Sequence, residues 1–185
     1  MKKSTQNVIM LFTQYNHRIP SETAPARLPR STPPIRKQHR LSDYDYSQNG
    51  AYFITICTFN RKKILGDVGA SCVRPLLSDM GSLVEKKIVA LNSVYECVRV
   101  DKHIVMPNHI HMILLIDCAS GRIQFAPTIP RVIKQFKGSI TKQVGYPVWQ
   151  KSYHDHVIRG DNDYRSIWQY IETNPQKWLL DCYYE

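Results

Sequence analysis

His109-Ile110-His111-Met112-Ile113-Leu114-Leu115-Ile116 is a run of aliphatic residues into which two histidines are set two positions apart. Side chains alternate faces along a strand, so both imidazoles would point the same way and could reach one ion, while Ile110 turns into the opposite face. Upstream, Tyr95 to Met106 reads as a partner strand, and Pro107-Asn108 supplies the turn between the two. Working outward, Ala51 to Phe59 is crowded with β-branched and aromatic residues and suits a central strand. Leu77 to Leu91 spaces Met80, Leu83, Val84, Ile88 and Leu91 near helical intervals, with Ser78 as a cap. Ile129 to Val144 predicts a second helix with a basic stripe, Trp149 to Ile158 a fourth strand, and Asp161 the cap of a last helix. The resulting order is βαββαβ with an added C-terminal helix. This is the ferredoxin-like α+β arrangement, in which helices cover one face of a four-stranded antiparallel sheet and leave the other free to bind.

The 185 residues, 43% of them hydrophobic, suffice for one well-buried core. Residues 1–40 read as a flexible basic arm, with Pro20, Pro25, Pro29, Pro33 and Pro34 among Arg27, Arg30, Arg36, Lys37 and Arg40, and residues 41–185 as the folded domain. Twenty-five Lys and Arg against 15 Asp and Glu give a formal charge of +10, which favours a polyanionic partner, nucleic acid ahead of an anionic membrane. No apolar run approaches the ~20 residues of a spanning helix, and no signal-peptide core is evident, so a cytoplasmic protein is expected. Cys57, Cys72, Cys97, Cys118 and Cys182 form no CxxC pair and are expected to be free thiols.

The last helix joins the histidines in the chemical reading. Tyr164, Ile167, Trp168 and Ile171 fall at i, i+3, i+4 and i+7 and define a buried stripe, which puts Tyr170 and Asn174 together on its flank. Each group has a plain reading when taken alone. A His-x-His triplet is more often surface or core, Tyr170 suits a helix boundary, and Asn174 before Pro175 suits a helix end. Together they suit phosphodiester chemistry. A tyrosine nucleophile stores the bond energy in a covalent phosphotyrosine, and a metal offsets the phenol's high reference pKa of ~10. Mg²⁺ or Mn²⁺ held by two neutral imidazoles and an amide oxygen would keep positions open for phosphate oxygens.

Val105-Met106-Pro107-Asn108-His109-Ile110-His111-Met112-Ile113-Leu114-Leu115 resembles the HUH motif of single-tyrosine transposases, particularly the REP-associated tyrosine transposases. Trp149-Gln150-Lys151-Ser152-Tyr153-His154-Asp155-His156-Val157-Ile158-Arg159, followed by Tyr164 through Tyr170-Ile171-Glu172-Thr173-Asn174-Pro175, is similar to that family's second signature. The resemblance spans roughly residues 40–178 and implies Tyr170 as nucleophile, His109 and His111 as metal ligands, and Asn174 as the third ligand. It further implies cleavage of single-stranded DNA at or beside hairpins, with a 5′ phosphate joined to tyrosine and a free 3′ hydroxyl.

Tyr153 and Tyr164 compete as nucleophiles, but Tyr164 falls on the buried stripe and Tyr153 lacks an amide one turn away. His156 is read as a supporting residue, since Asp155 between it and His154 would face the helices. Arg61, Lys62, Lys63, Arg131, Lys134, Lys137 and Arg159 are candidate contacts to DNA phosphates. Two other functions remain open at this point. One is a noncatalytic nucleic-acid-binding module using an exposed sheet, the other a replication-initiator-type nicking enzyme. Monomer and homodimer are equally compatible with the sequence.

Overall fold

The hairpin read from the sequence forms in the computed structural model, where Met106 lies opposite His109 across the Pro107-Asn108 turn. The structure describes residues 44–69, 74–118 and 127–180. The basic arm expected over residues 1–40, together with Cys72 and Cys182, lies outside the described residues. In chain order come β1 (Gly50–Cys57), the two-residue strands β2 (Gly66–Asp67) and β3 (Leu76–Leu77), and α1 (Asp79–Val94). They are followed by β4 (Val98–Met106), β5 (His109–Ile116), α2 (Ile129–Val144), β6 (His154–Ile158) and α3 (Gly160–Thr173), and the chain then enters a 3₁₀ segment, Pro175–Leu180. The main sheet has the order β4-β5-β1-β6 with every pair antiparallel, which is the ferredoxin-like arrangement expected from βαββαβ.

One sheet face carries the main core. Tyr52, Ile54 and Ile56 from β1 and Ile110, Met112 and Leu114 from β5 pack against Val84 and Ile88 of α1 and Val132, Ile133, Phe136 and Ile140 of α2. Both helices start on the caps that free their first N–H groups from isolation. Ser78 Oγ accepts from Gly81 N at 3.1 Å, and Thr128 Oγ1 accepts from Arg131 N at 3.4 Å. Gly145, at φ 81°, ends α2 in the left-handed conformation that glycine tolerates. At Gly81 the chain passes so close to Leu65 that an added Cβ would lie 1.9 Å from its carbonyl oxygen. The pairing of β4 slips between Val100 and Lys102, so Val100 and Val105 both reach the main core although they are five positions apart.

The opposite face is not free, which corrects the expectation from the sequence. Ile167 and Ile171 of α3 lie on Phe53 and Ile113, and Trp178 of the 3₁₀ segment packs on Met106. An added amphipathic helix must bury its stripe somewhere, and this face supplies the apolar ground. The open sheet platform that a stacking RNA-binding module uses is therefore covered. The stripe is also narrower than expected. Trp168 is 40% exposed, with the Lys102 ammonium 3.9 Å from its ring centroid.

Three local expectations are corrected as well. Cys97 and Cys118 form a disulfide across the ends of the β4–β5 hairpin, their Cα atoms 4.8 Å apart, whereas Cys57 is not disulfide-bonded. A scan for short cysteine spacings misses a pair 21 residues apart that only the hairpin brings together. The expected strand from Trp149 shrinks to a single bridge between Trp149 and Thr58, and regular pairing begins at His154. At the start of α3 the side chain that caps is Asp163, which accepts from Arg159 N at 2.9 Å, in place of Asp161.

Because Ile171 is fully buried between α3 and the sheet, Ile171→Ala is expected to cost about 2–5 kcal/mol in urea unfolding. Trp168→Ala is expected to cost about 1 kcal/mol or less, the scale of one exposed cation–π contact.

Candidate functional site

The tip of the hairpin is held from outside. Thr58 donates its backbone N–H and its hydroxyl to the Asn108 carbonyl, at 2.9 and 3.0 Å, and Leu65 N donates to the Pro107 carbonyl at 2.9 Å. These bonds fix the start of β5 and with it the two imidazoles. His109 and His111 share the α3-covered face, as their spacing requires, and both are fully buried. Their Nε2 atoms stand 3.0 Å apart. Each ring is also held at its other nitrogen, His109 Nδ1 lying 2.9 Å from Asn108 Oδ1 and His111 Nδ1 2.9 Å from Thr55 Oγ1.

Burial sets the charge state of both rings. Desolvation first, then the neighbouring His111 and Arg61, holds His109 well below the usual imidazole range. Desolvation, followed by His154, brings His111 down to about 3. Two neutral rings therefore present nitrogen lone pairs at neutral pH, the state that metal binding requires.

Tyr170 completes the constellation from α3. Its hydroxyl lies 3.4 Å from His111 Nε2, and its ring stands 5.2 Å from the His111 ring and 6.1 Å from Phe53. Phe53 stacks on His111 at 5.2 Å, so the three rings of Phe53, His111 and Tyr170 form a compact triangle. Asn174, 2% exposed, occupies the C-cap of the same helix, one turn beyond Tyr170. Trp178 lies over His109 at 5.9 Å, with the Lys63 ammonium on the Trp178 ring.

The donor set suits an ion. Two ligands in adjacent positions of an octahedron, with bonds of about 2.1 Å, lie about 3.0 Å apart, and the paired Nε2 atoms show that separation. Among the described residues no three His, Cys, Asp or Glu side chains group around a point. A third ligand drawn from the described residues would be of another kind, as an amide oxygen is.

The competing tyrosines are placed elsewhere. Tyr164 donates to the Asp101 carboxylate on β4, and burial and then that carboxylate push its phenol up to about 12. Tyr153 packs on the main core, on the other side of the sheet. His154 pairs opposite Thr55 and His156 opposite Phe53, both on the α3 face. His156 Nε2 meets Asp163 Oδ2 at 2.9 Å and so ties β6 to the first turn of α3.

The basic candidates divide by position. Arg61, Lys62 and Lys63 follow β1 near the imidazoles, where Arg61 acts on His109 and Lys63 on Trp178. Arg159 is exposed at the start of α3. Arg131 and Lys134 are exposed on α2, across the sheet from the histidines. Lys137 turns inward, its ammonium donating to the carbonyls of Gln150, Lys151 and Ser152 at 2.6, 3.1 and 3.3 Å, which holds the segment leading into β6. The sequence reading passed over Thr55 and Trp178 and took Asn108 only as a turn residue. Thr55 carried a usable signal, since it is a hydroxyl at the inward phase of an otherwise apolar strand.

Known proteins resemble this chain in sequence and in fold. A Haemophilus influenzae protein of uncharacterised function is 30% identical over 169 residues, covering 80% of this chain and 93% of that protein. A second protein of that organism, whose name assigns it provisionally to the REP-associated tyrosine transposases, is 26% identical over 148 residues, covering 74% of this chain and 77% of its own. A solved REP-associated tyrosine transposase bound to a REP hairpin shares the fold at 21% identity, with a TM-score of 0.54 over 74% of each chain. No family model matches the sequence.

The lowered imidazoles carry a pH signature. Folded His111 titrates at about 3, against 6.5 for a free imidazole, so acidification loads protons onto the unfolded chain first. Stability of the metal-free protein is expected to be greatest above about pH 6.5 and to fall continuously toward about pH 3. Urea midpoints at several pH values check this, and His111→Gln is expected to flatten the slope.

Proposed function

We propose that this chain, a member of the REP-associated tyrosine transposases, cleaves and rejoins single-stranded hairpin DNA through a 5′-phosphotyrosine on Tyr170. The observation that carries this reading is the 3.4 Å approach of the Tyr170 hydroxyl to an imidazole of the buried His109–His111 pair. His109, His111 and Asn174 are the proposed ligands of one Mg²⁺ or Mn²⁺. When bound, that ion would supply Lewis acidity toward the scissile phosphate.

In the cleavage step the Tyr170 oxygen bonds to phosphorus and the bond from phosphorus to O3′ breaks. The phenol proton passes to solvent, and the leaving oxygen takes one up as a 3′ hydroxyl. Rejoining runs the same exchange backwards without ATP, because the phosphotyrosine keeps the energy of the bond. Phe53 and the buried Ile167 and Ile171 hold the α3 phenol in place, and burial keeps the imidazoles neutral. The phenol facing the imidazoles belongs to the same chain, which supports action in cis, as a monomer or within each subunit of a homodimer. Arg61, Lys62 and Lys63 are the basic residues best placed to hold the DNA backbone, with Arg159 at the far end of the α3 face. DNA as partner suits a cytoplasmic enzyme, and among the described residues no helix is long and apolar enough to cross a membrane.

Tyr170→Phe is expected to lower adduct formation on labelled hairpin DNA with Mn²⁺ by about 10³-fold or more. Hairpin binding is expected to stay within about twofold, and a chelator to abolish the wild-type adduct until Mn²⁺ is returned. A denaturing gel reads both, and an undiminished adduct from Tyr170→Phe would exclude this nucleophile. Arg61→Ala is expected to weaken hairpin binding and to reduce the logarithmic salt slope by about 1.

A further inference from the structure

Three short contacts run in series through the buried pair. Thr55 Oγ1 lies 2.9 Å from His111 Nδ1, His111 Nε2 lies 3.0 Å from His109 Nε2, and His109 Nδ1 lies 2.9 Å from Asn108 Oδ1. Thr55 is 1% exposed and the other three are fully buried, so water does not replace a missing partner here. A neutral imidazole carries one N–H and one bare nitrogen, and an amide oxygen only accepts. Asn108 Oδ1 therefore places the His109 proton on Nδ1 and leaves its Nε2 bare. For the 3.0 Å contact between the rings to be a hydrogen bond, His111 must carry its proton on Nε2. His111 Nδ1 is then bare, and it accepts from the Thr55 hydroxyl. Every member of the series has one donor facing one acceptor.

An ion between the rings needs both Nε2 atoms bare. His109 already meets that requirement. His111 does not, and must move its proton from Nε2 to Nδ1 without changing its charge. A threonine hydroxyl can donate or accept by rotating, whereas an amide oxygen cannot. Resting on the metal-site reading above, we infer that Asn108 and Thr55 are unequal positioning residues, Asn108 locking His109 in the ligand tautomer and Thr55 acting as a rotor that lets His111 change tautomer when the ion enters. Partners of this kind behind metal-binding histidines typically contribute about 10- to 100-fold in affinity.

Nitrogen-resolved NMR on protein labelled with ¹⁵N-histidine reads the tautomers directly. Without metal, His109 is expected to show a protonated Nδ1 and a bare Nε2, and His111 the reverse. Zn²⁺, used as a diamagnetic probe, is expected to move the His111 proton to Nδ1 and leave His109 unchanged. Calorimetric Mn²⁺ binding by Thr55→Val, which keeps the side-chain shape, is expected to weaken by about 10- to 100-fold, and Thr55→Ser to restore most of it. A metal-free His109 protonated at Nε2, an unmoved His111 on Zn²⁺ uptake, or a Thr55→Val protein that binds Mn²⁺ as wild type does would each overturn the inference. If wild-type protein took up neither ion, the metal-site reading itself would fall, a different result from uptake with the wrong tautomers.

Discussion

The site depends on how α3 buries Ile167 and Ile171. The face of the sheet that receives them offers Phe53 and Ile113 as apolar ground, and His111 stands two positions before Ile113 on the same strand. Docking the helix on that patch carries Tyr170 to the imidazole. Packing and chemistry are thus one event, and a side chain that loosens the helix also moves the phenol. At about 25 cal/mol per Å² of apolar surface, the hydrophobic term for such buried side chains far exceeds a long hydrogen bond such as that of Tyr170 to His111. The apolar contact positions the polar one.

Burial has a second consequence, in electrostatics. Two imidazoles out of contact with water cannot both carry charge, and desolvation outweighs every other influence on either ring. The protein thereby keeps both rings neutral, each with one nitrogen lone pair, without a carboxylate at the paired nitrogens. Asn108 and Thr55 bond the remaining ring nitrogens, so ring orientation is set by the hairpin turn and by a central strand of the sheet.

Much of this was legible in the chain. Strand alternation put His109 and His111 on one face and Ile110 on the other, and the structure has them so. Ile129 to Val144 was readable to the residue because Thr128, Pro130 and Gly145 punctuate it. What escaped was long-range. The Cys97–Cys118 bond exists only once the hairpin closes, and the slip of β4 at Asp101 reverses which residues face inward with no local signal. Periodicity gave α3 a stripe including Trp168, yet it could not say that the sheet would receive only Ile167 and Ile171 squarely. Nor could it say that this face would be covered at all, since an amphipathic helix announces that it must be buried without naming where. Thr55 illustrates the same limit. Its role follows from the residue opposite it in the neighbouring strand, a pairing fixed by topology.

The central claim is that the phenol beside the imidazoles is the atom that takes the DNA. Trypsin, cutting after Arg165 and Lys177, releases a peptide from Ser166 to Lys177 in which Tyr170 is the sole tyrosine. Mass spectrometry of the digested product of wild-type protein with hairpin DNA and Mn²⁺ should find the nucleotide mass on that peptide. Finding it on a peptide containing Tyr153 or Tyr164, with the Tyr170 peptide unmodified, would contradict the account.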